Sequence, residues 1–137
     1  PYSPHRNDPH TGDNIGIQVI DTKTNKTLFY SPGLGEPTED TISLMNQSDC
    51  LLVDGTFWEE GEMSKVGLGD KKAADMGHLP QSGETGMIQL LRPMQKPRKV
   101  LIHINNTNPI LDEDSIERKT LNDESIEVAY DGMDLKL

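Results

Sequence analysis

Residues 99–109 read KVLIHINNTNP. Val100, Leu101, Ile102 and Ile104 form a short β-branched and aliphatic run, the mark of a buried strand. The run stops at Asn105-Asn106-Thr107-Asn108-Pro109, where side-chain amides bond nearby backbone and proline ends ladder pairing. His103 stands one residue before the last apolar position of this strand. A rigid element thus delivers an imidazole to the carboxyl edge of a sheet, where sites in layered α/β folds lie. The competing reading is a half-buried histidine bonded to a backbone carbonyl.

Upstream, residues 50–58 read CLLVDGTFW. Cys50 to Val53 is a continuous apolar run, of the kind buried on both faces of a sheet. It ends in Asp54-Gly55, so the Asp54 carboxylate either caps the following loop or serves as a ligand. Cys50 fills core as a small apolar residue, with no charged neighbour in sequence to activate it. Phe57 and Trp58 either shield a site at the strand end or form a satellite core. Residues 59–75 carry charge of both signs, which reads as a solvated loop or short helix; a connection of such length tends to line or cover a site. In MGHLPQS, residues 76–82, His78 falls in a constrained loop before a helix expected from Ser82 or Gly83 to Pro93. Core packing does not explain His78 there, whereas capping does.

The flanks complete an alternating pattern. Residues 1–12 hold three prolines with His5 and His10 and read as an extended lead-in. NIGIQVI, residues 14–20, alternates as a strand with one buried face and pairs through the 21–26 turn with TLFY, residues 27–30. Residues 31–37, SPGLGEP, form a break whose Gly-Leu-Gly is too short for a nucleotide-binding loop. A helix is expected over 38–47, capped by Thr38, with Ile42, Leu44 and Met45 facing inward. Residues 115–122 form another, burying Ile116 and Leu121; 126–129 is a strand and 133–137 an edge strand or tether. After the hairpin, the order helix, strand, helix, strand, helix, strand gives a layered α/β fold.

The chain has 137 residues and a net charge of −10, which argues against a surface that tracks phosphates, so no nucleic-acid partner is expected. No run approaches the roughly 20 apolar residues of a membrane span, so no membrane partner is expected. One cysteine excludes an internal disulfide and a thiolate-rich zinc cluster; a cytoplasmic location is the default. Hydrophobic residues make up only 33% of the chain, a thin core whose apolar faces expect a partner half.

Asp54 and His103 end two buried strands, and His78 lies in the loop between them. Parallel neighbouring strands bring all three to one sheet edge. A carboxylate with imidazoles suits a divalent metal such as zinc or ferrous iron, with open positions. His10 in the lead-in is a further donor.

LLVDGTF with Asp54, followed by KVLIHINNTNP with His103, resembles the second half of a metallo-β-lactamase-type domain. MGHLPQSG with His78 is similar to the loop histidine of its nuclease and phosphodiesterase branches, and His10 before Gly16 to an earlier site histidine. YSPHRNDPHTGDNIG, LFYSPGLG, DMGHLPQSG, VLIHINNTNPILDEDS and EVAYDGM resemble the carboxyl-terminal half of the pyrroloquinoline quinone (PQQ) biosynthesis protein B family. The resemblance implies that residues 1–137 are the carboxyl-terminal part of a single domain, one αβ layer pair of an αββα sandwich. It implies metal ligation by Asp54, His103 and His10, with iron(II) favoured over zinc. His78 would be a catalytic proton donor or a contact to substrate carboxylates. The implied activity is hydroxylation of the tyrosine ring of a peptide-derived Glu-Tyr precursor, with a homodimer as an expected assembly. A metal-dependent hydrolase of the same fold, or a carrier or transport factor for PQQ or its precursor, are the alternatives. The family's amino-terminal metal motif and cysteine-rich zinc site have no counterpart in these residues, so the chain alone is expected to be poorly active.

Overall fold

The computed structural model describes Asp8, His10 and residues 12–137; most of the lead-in, His5 included, lies outside the described residues. Among the described residues, five strands form one sheet in the order β1-β2-β3-β4-β5. They are β1 (Ile17–Ile20), β2 (Thr27–Ser31), β3 (Cys50–Asp54), β4 (Arg98–Ile102) and β5 (Ile126–Val128). β1 runs antiparallel to β2, and all other neighbours are parallel. The helices α1 (Glu39–Gln47), α2 (Glu62–Lys65), α3 (Met87–Leu91) and α4 (Ile116–Asp123) lie in the connections.

Local chemistry sets the boundaries. Thr38 caps α1 by accepting the Thr41 N–H at 3.2 Å, and Ser115 caps α4 by accepting the Arg118 N–H at 3.0 Å. α3 starts at Met87, later than the sequence suggests, because residues 82–86 turn first. Gly86 makes that turn possible: a Cβ there would lie 2.2 Å from the Ser82 carbonyl oxygen. Of the two readings of 133–137, edge strand or tether, the strand does not form, since those residues join no ladder of the sheet.

Helices α1, α3 and α4 share one face of the sheet. Phe29, Leu51, Val53, Leu101, Ile126 and Val128 pack in a single cluster with Met45 of α1, Met87, Ile88 and Leu91 of α3, and Leu121 of α4. Strand register explains this segregation: Phe29 pairs Leu51, Val53 pairs Leu101, and Leu101 pairs Val128, so their side chains project to the same side. This is the α/β layer expected from the pattern. Cys50 is fully buried, and burial pushes its thiol up.

The opposite face is partly bare. Ile17 pairs Tyr30 and Val19 pairs Leu28, which places all four on that side. Ile17, Val19 and Tyr30 are exposed, Val19 to 52%. The expectation that β1 buries one face is therefore corrected: its alternation is real, but no layer of the described residues covers it. Leu44 and Ile116 are likewise exposed rather than inward, Ile116 to 77%. Each helix turns one narrow stripe to the sheet, and Met45 and Leu121 fill it.

Candidate metal site

β3 and β4 are adjacent and parallel, and their register sets Asp54 opposite Ile102, so Asp54 and His103 emerge side by side at the carboxyl edge. Gly55 permits the close approach that follows. Its N–H donates to the Ile102 carbonyl at 2.7 Å, and a Cβ there would sit 2.9 Å from that same oxygen. β4 ends at Ile102, one residue before His103, which turns out of the sheet with φ +57°. The sequence placed His103 within the strand. The left-handed backbone here is uncommon for a side-chain-bearing residue and aims the ring across the edge instead of along a sheet face. His78 arrives from the other side. The loop carrying it is pinned by the His78 N–H to the Ala73 carbonyl at 3.1 Å and the Leu79 N–H to the Leu34 carbonyl at 2.9 Å.

The three side chains meet. One donor atom of each of Asp54, His78 and His103 lies within 4.8 Å of the other two. Asp54 is fully buried, His78 half-buried and His103 exposed, so the group opens to solvent on the His103 side. The two rings stack at 5.4 Å between centroids, and Phe57 meets His78 edge-on at 5.8 Å. Phe57 therefore shields the site.

Asp54 accepts four hydrogen bonds. Oδ1 takes the Thr56 N–H at 3.0 Å and the Thr56 hydroxyl at 2.6 Å. Oδ2 takes the Leu34 N–H at 2.9 Å and His78 Nδ1–H at 2.7 Å. A carboxylate only accepts, so His78 carries its proton on Nδ1 and turns a free Nε2 lone pair outward. Thr56 Oγ1 also lies 2.8 Å from His103 Nδ1, 3.1 Å from His78 Nδ1 and 2.9 Å from the His103 carbonyl oxygen. With its single proton given to Asp54, it accepts from His103 Nδ1–H, which leaves His103 Nε2 free as well. All four lone-pair directions of Asp54 are thus occupied. A cation on Asp54 takes the place of one donor, and the hydroxyl and the ring, being side chains, are the two able to give way.

Thr56 and the outer support escaped the sequence reading. Asn108 Nδ2 donates to the Gly55 carbonyl at 2.9 Å and to Gln81 Oε1 at 2.8 Å, while its Oδ1 caps the next turn at the Ile110 N–H. The Asn105 N–H reaches the Thr56 carbonyl at 3.1 Å. The Asn-rich stretch therefore bonds across to the β3 loop as well as to its own backbone. Gly-Leu-Gly, rejected as a nucleotide loop, contributes the Leu34 N–H. Glu62 is buried, accepts the Trp58 N–H at 2.6 Å and bonds the Thr107 hydroxyl; burial raises its carboxyl above the ordinary range.

The structure does not bring His10 to the group. Its exposed ring faces Asp8 at 3.4 Å, and its carbonyl accepts the Asp13 N–H at 3.1 Å. The third donor at the sheet edge is His78. The donor set itself suits a divalent metal: a carboxylate and two neutral imidazoles match borderline ions.

Comparison with known proteins agrees with this architecture. The family model for a beta-lactamase superfamily domain matches residues 2–104. Coenzyme PQQ synthesis protein B of Nitrosococcus oceani is 58% identical over all 137 residues, which cover 44% of that protein. The protein of the same name from Methylococcus capsulatus is 57% identical, again over the whole chain and 45% of the relative. The chain thus spans less than half the length of these curated relatives. The crystal structure of zinc-bound PqqB from Methylobacterium extorquens superposes with a TM-score of 0.85 at 40% identity, over 90% of this chain and 44% of that one. With its parallel strands delivering Asp54 and His103 to one edge, this chain belongs to the beta-lactamase superfamily.

Proposed function

We propose that this chain contributes one side of a divalent-metal centre to a protein of PQQ biosynthesis, and that ferrous iron there serves hydroxylation of the tyrosine ring of a peptide-derived Glu-Tyr precursor. The observation that supports it is the meeting of Asp54, His78 and His103 in a chain similar from end to end to proteins named for PQQ synthesis. Residues 1–137 are read as the carboxyl-terminal part of a single domain, whose remaining part covers the bare face at Ile17, Val19 and Tyr30.

Asp54 and His103 would hold the metal, with His78 completing the donor group. Three protein donors leave positions open to other ligands. When bound, iron supplies activation of dioxygen toward the phenol ring. The chain's own residues supply the rest. His78 keeps its proton at Nδ1 against Asp54, which leaves Nε2 as its donor to the metal. Phe57 keeps water from one side of the His78 ring. Asp54 fixes the tautomer of His78, and Thr56 that of His103.

A hydrolase is the second reading, and the zinc named for the similar PqqB crystal structure favours it. Metal analysis with oxygen uptake on the protein at its full natural length, beside Asp54→Ala and His103→Ala, separates the two. Stoichiometric iron with precursor-dependent oxygen consumption, lost in both variants, is the expected result. Zinc without oxygen uptake moves the assignment to hydrolysis, and no bound metal overturns both.

A further inference from the structure

A cleft of about 600 Å³ opens beside the candidate metal site, with His103 on one wall. It lies beyond the carboxyl ends of β4 and β5, the edge at which open parallel sheets bind ligands. Arg118, Tyr130, Glu113 and Asp131 line it as well. Arg118 is the unusual member. The chain carries 23 acidic residues, and the other described arginines are each clamped to one: Arg92 to Glu124 at 2.5 Å and Arg98 to Glu127 at 2.7 Å. Among the described residues, no carboxylate lies within ion-pair distance of Arg118. Its Nη1 donates to the Ile110 carbonyl at 2.7 Å, which fixes the guanidinium at the first turn of α4. A half-buried cation is thereby held in place beside the site with donors left over.

We infer that this cleft is an amino-acid subsite: Arg118 anchors a substrate carboxylate, and the exposed Glu113 and Asp131 receive its ammonium group. A chain of net charge −10 repels anions at long range, so a carboxylate-bearing substrate needs a local cation, and Arg118 is the one the cleft offers. The fork of guanidinium donors matches a carboxylate in two parallel bonds, which also orients the ligand. A carboxylate held there sets the rest of the molecule in the cleft that His103 walls. The inference rests on the metal-site reading above for its reaction, though not for its binding chemistry.

The test uses the zinc-loaded protein at full natural length and three probes: the dipeptide glutamyl-tyrosine, its fully amidated counterpart, and glutarate. Calorimetry gives affinities, and the Arg118 side-chain N–H resonance reports direct contact. Arg118→Gln is expected to weaken dipeptide binding about tenfold or more, from loss of charge-assisted bonds, and to leave the amidated probe and zinc content unchanged. Arg118→Lys should recover part of the affinity, keeping charge but not the fork. In turnover of the iron-loaded protein with the Glu-Tyr precursor, Arg118→Gln should raise KM far more than it lowers kcat. Equal loss of both peptides, an unchanged dipeptide affinity, or an Arg118 resonance that neither carboxylate probe moves overturns the subsite. A dipeptide that binds through Arg118 in a protein whose iron-loaded form takes up no oxygen supports the subsite while refuting the oxygenase.

Discussion

Replacing Asp54 with asparagine isolates what the buried carboxylate does for the fold. Its four donors divide evenly, two at each oxygen, and two of them are the backbone N–H groups of Thr56 and Leu34. Asparagine preserves shape but must turn an NH₂ toward one pair. Facing the Thr56 pair, the amide confronts a backbone N–H that cannot turn away. Facing the Leu34 pair, it can satisfy His78 if the imidazole changes tautomer, but the Leu34 N–H is orphaned. The second arrangement costs less. It still leaves one buried donor unpaired and removes charge assistance from the rest, a loss of about 2–4 kcal/mol. In urea, with metal removed by chelation, that lowers the unfolding midpoint by roughly 1–2 M at unchanged slope. Carboxylates at functional sites are often held at a cost, so that neutralising them stabilises the protein. An Asp54→Asn protein as stable as the parent, or more so, would refute the view that this carboxylate is satisfied by its surroundings.

Two further outcomes follow from packing and charge. Leu121→Ala should cost about 2–5 kcal/mol by emptying a buried position under the sheet, while Ile116→Ala on the same helix stays within about 0.5 kcal/mol; parallel denaturation curves check both, and equal effects would contradict the observed face of α4. Asp49 accepts the Thr27 N–H and pairs with Lys26, which holds its carboxyl down to about 2 from an ordinary 3.8. Its contribution to stability is full above pH 3.8 and disappears as pH falls toward 2. Asp49→Asn should flatten that part of the stability–pH curve, and an unaltered slope would remove the residue from the acid transition.

Strand ends were legible because they depend on local signals. The apolar run before Asp54 and the Asn-Pro stop after Ile104 mark where buried ladder gives way to loop, and β3 and β4 lie there. The alternation of helices and strands gave the parallel sheet, hence the meeting of Asp54 and His103. Thr56 stayed hidden because a threonine after Asp-Gly reads as turn chemistry; its role exists only once His103, distant in sequence, is brought against it. Asn108 is similar. Its Oδ1 does what the sequence suggests and caps the following turn, but its Nδ2 binds Gly55 and Gln81 across the fold. The positive φ of His103 left no trace either, since histidine carries no glycine-like marker for such a turn. Ile17, Val19 and Ile116 failed in the opposite sense: periodicity identifies an apolar face but does not say that anything covers it.

The donor network and the bare face are physically separate. Asp54, Thr56, His78 and His103 are held by Leu34, Phe57, Asn105 and Asn108, all contacts within this chain and all at the carboxyl edge of β3 and β4. The bare face consists of Ile17 and Val19 of β1 and Tyr30 of β2, on the side of the sheet away from the helix-packed core. A second layer placed over β1 and β2 would bury apolar surface without having to build the Asp54–His78–His103 arrangement, because side-chain and backbone hydrogen bonds already fix it. What such a layer can still change is metal affinity. The carboxylate has no lone pair to spare, and additional ligands must outweigh the Thr56 hydroxyl or the His78 ring for a cation to displace one of them.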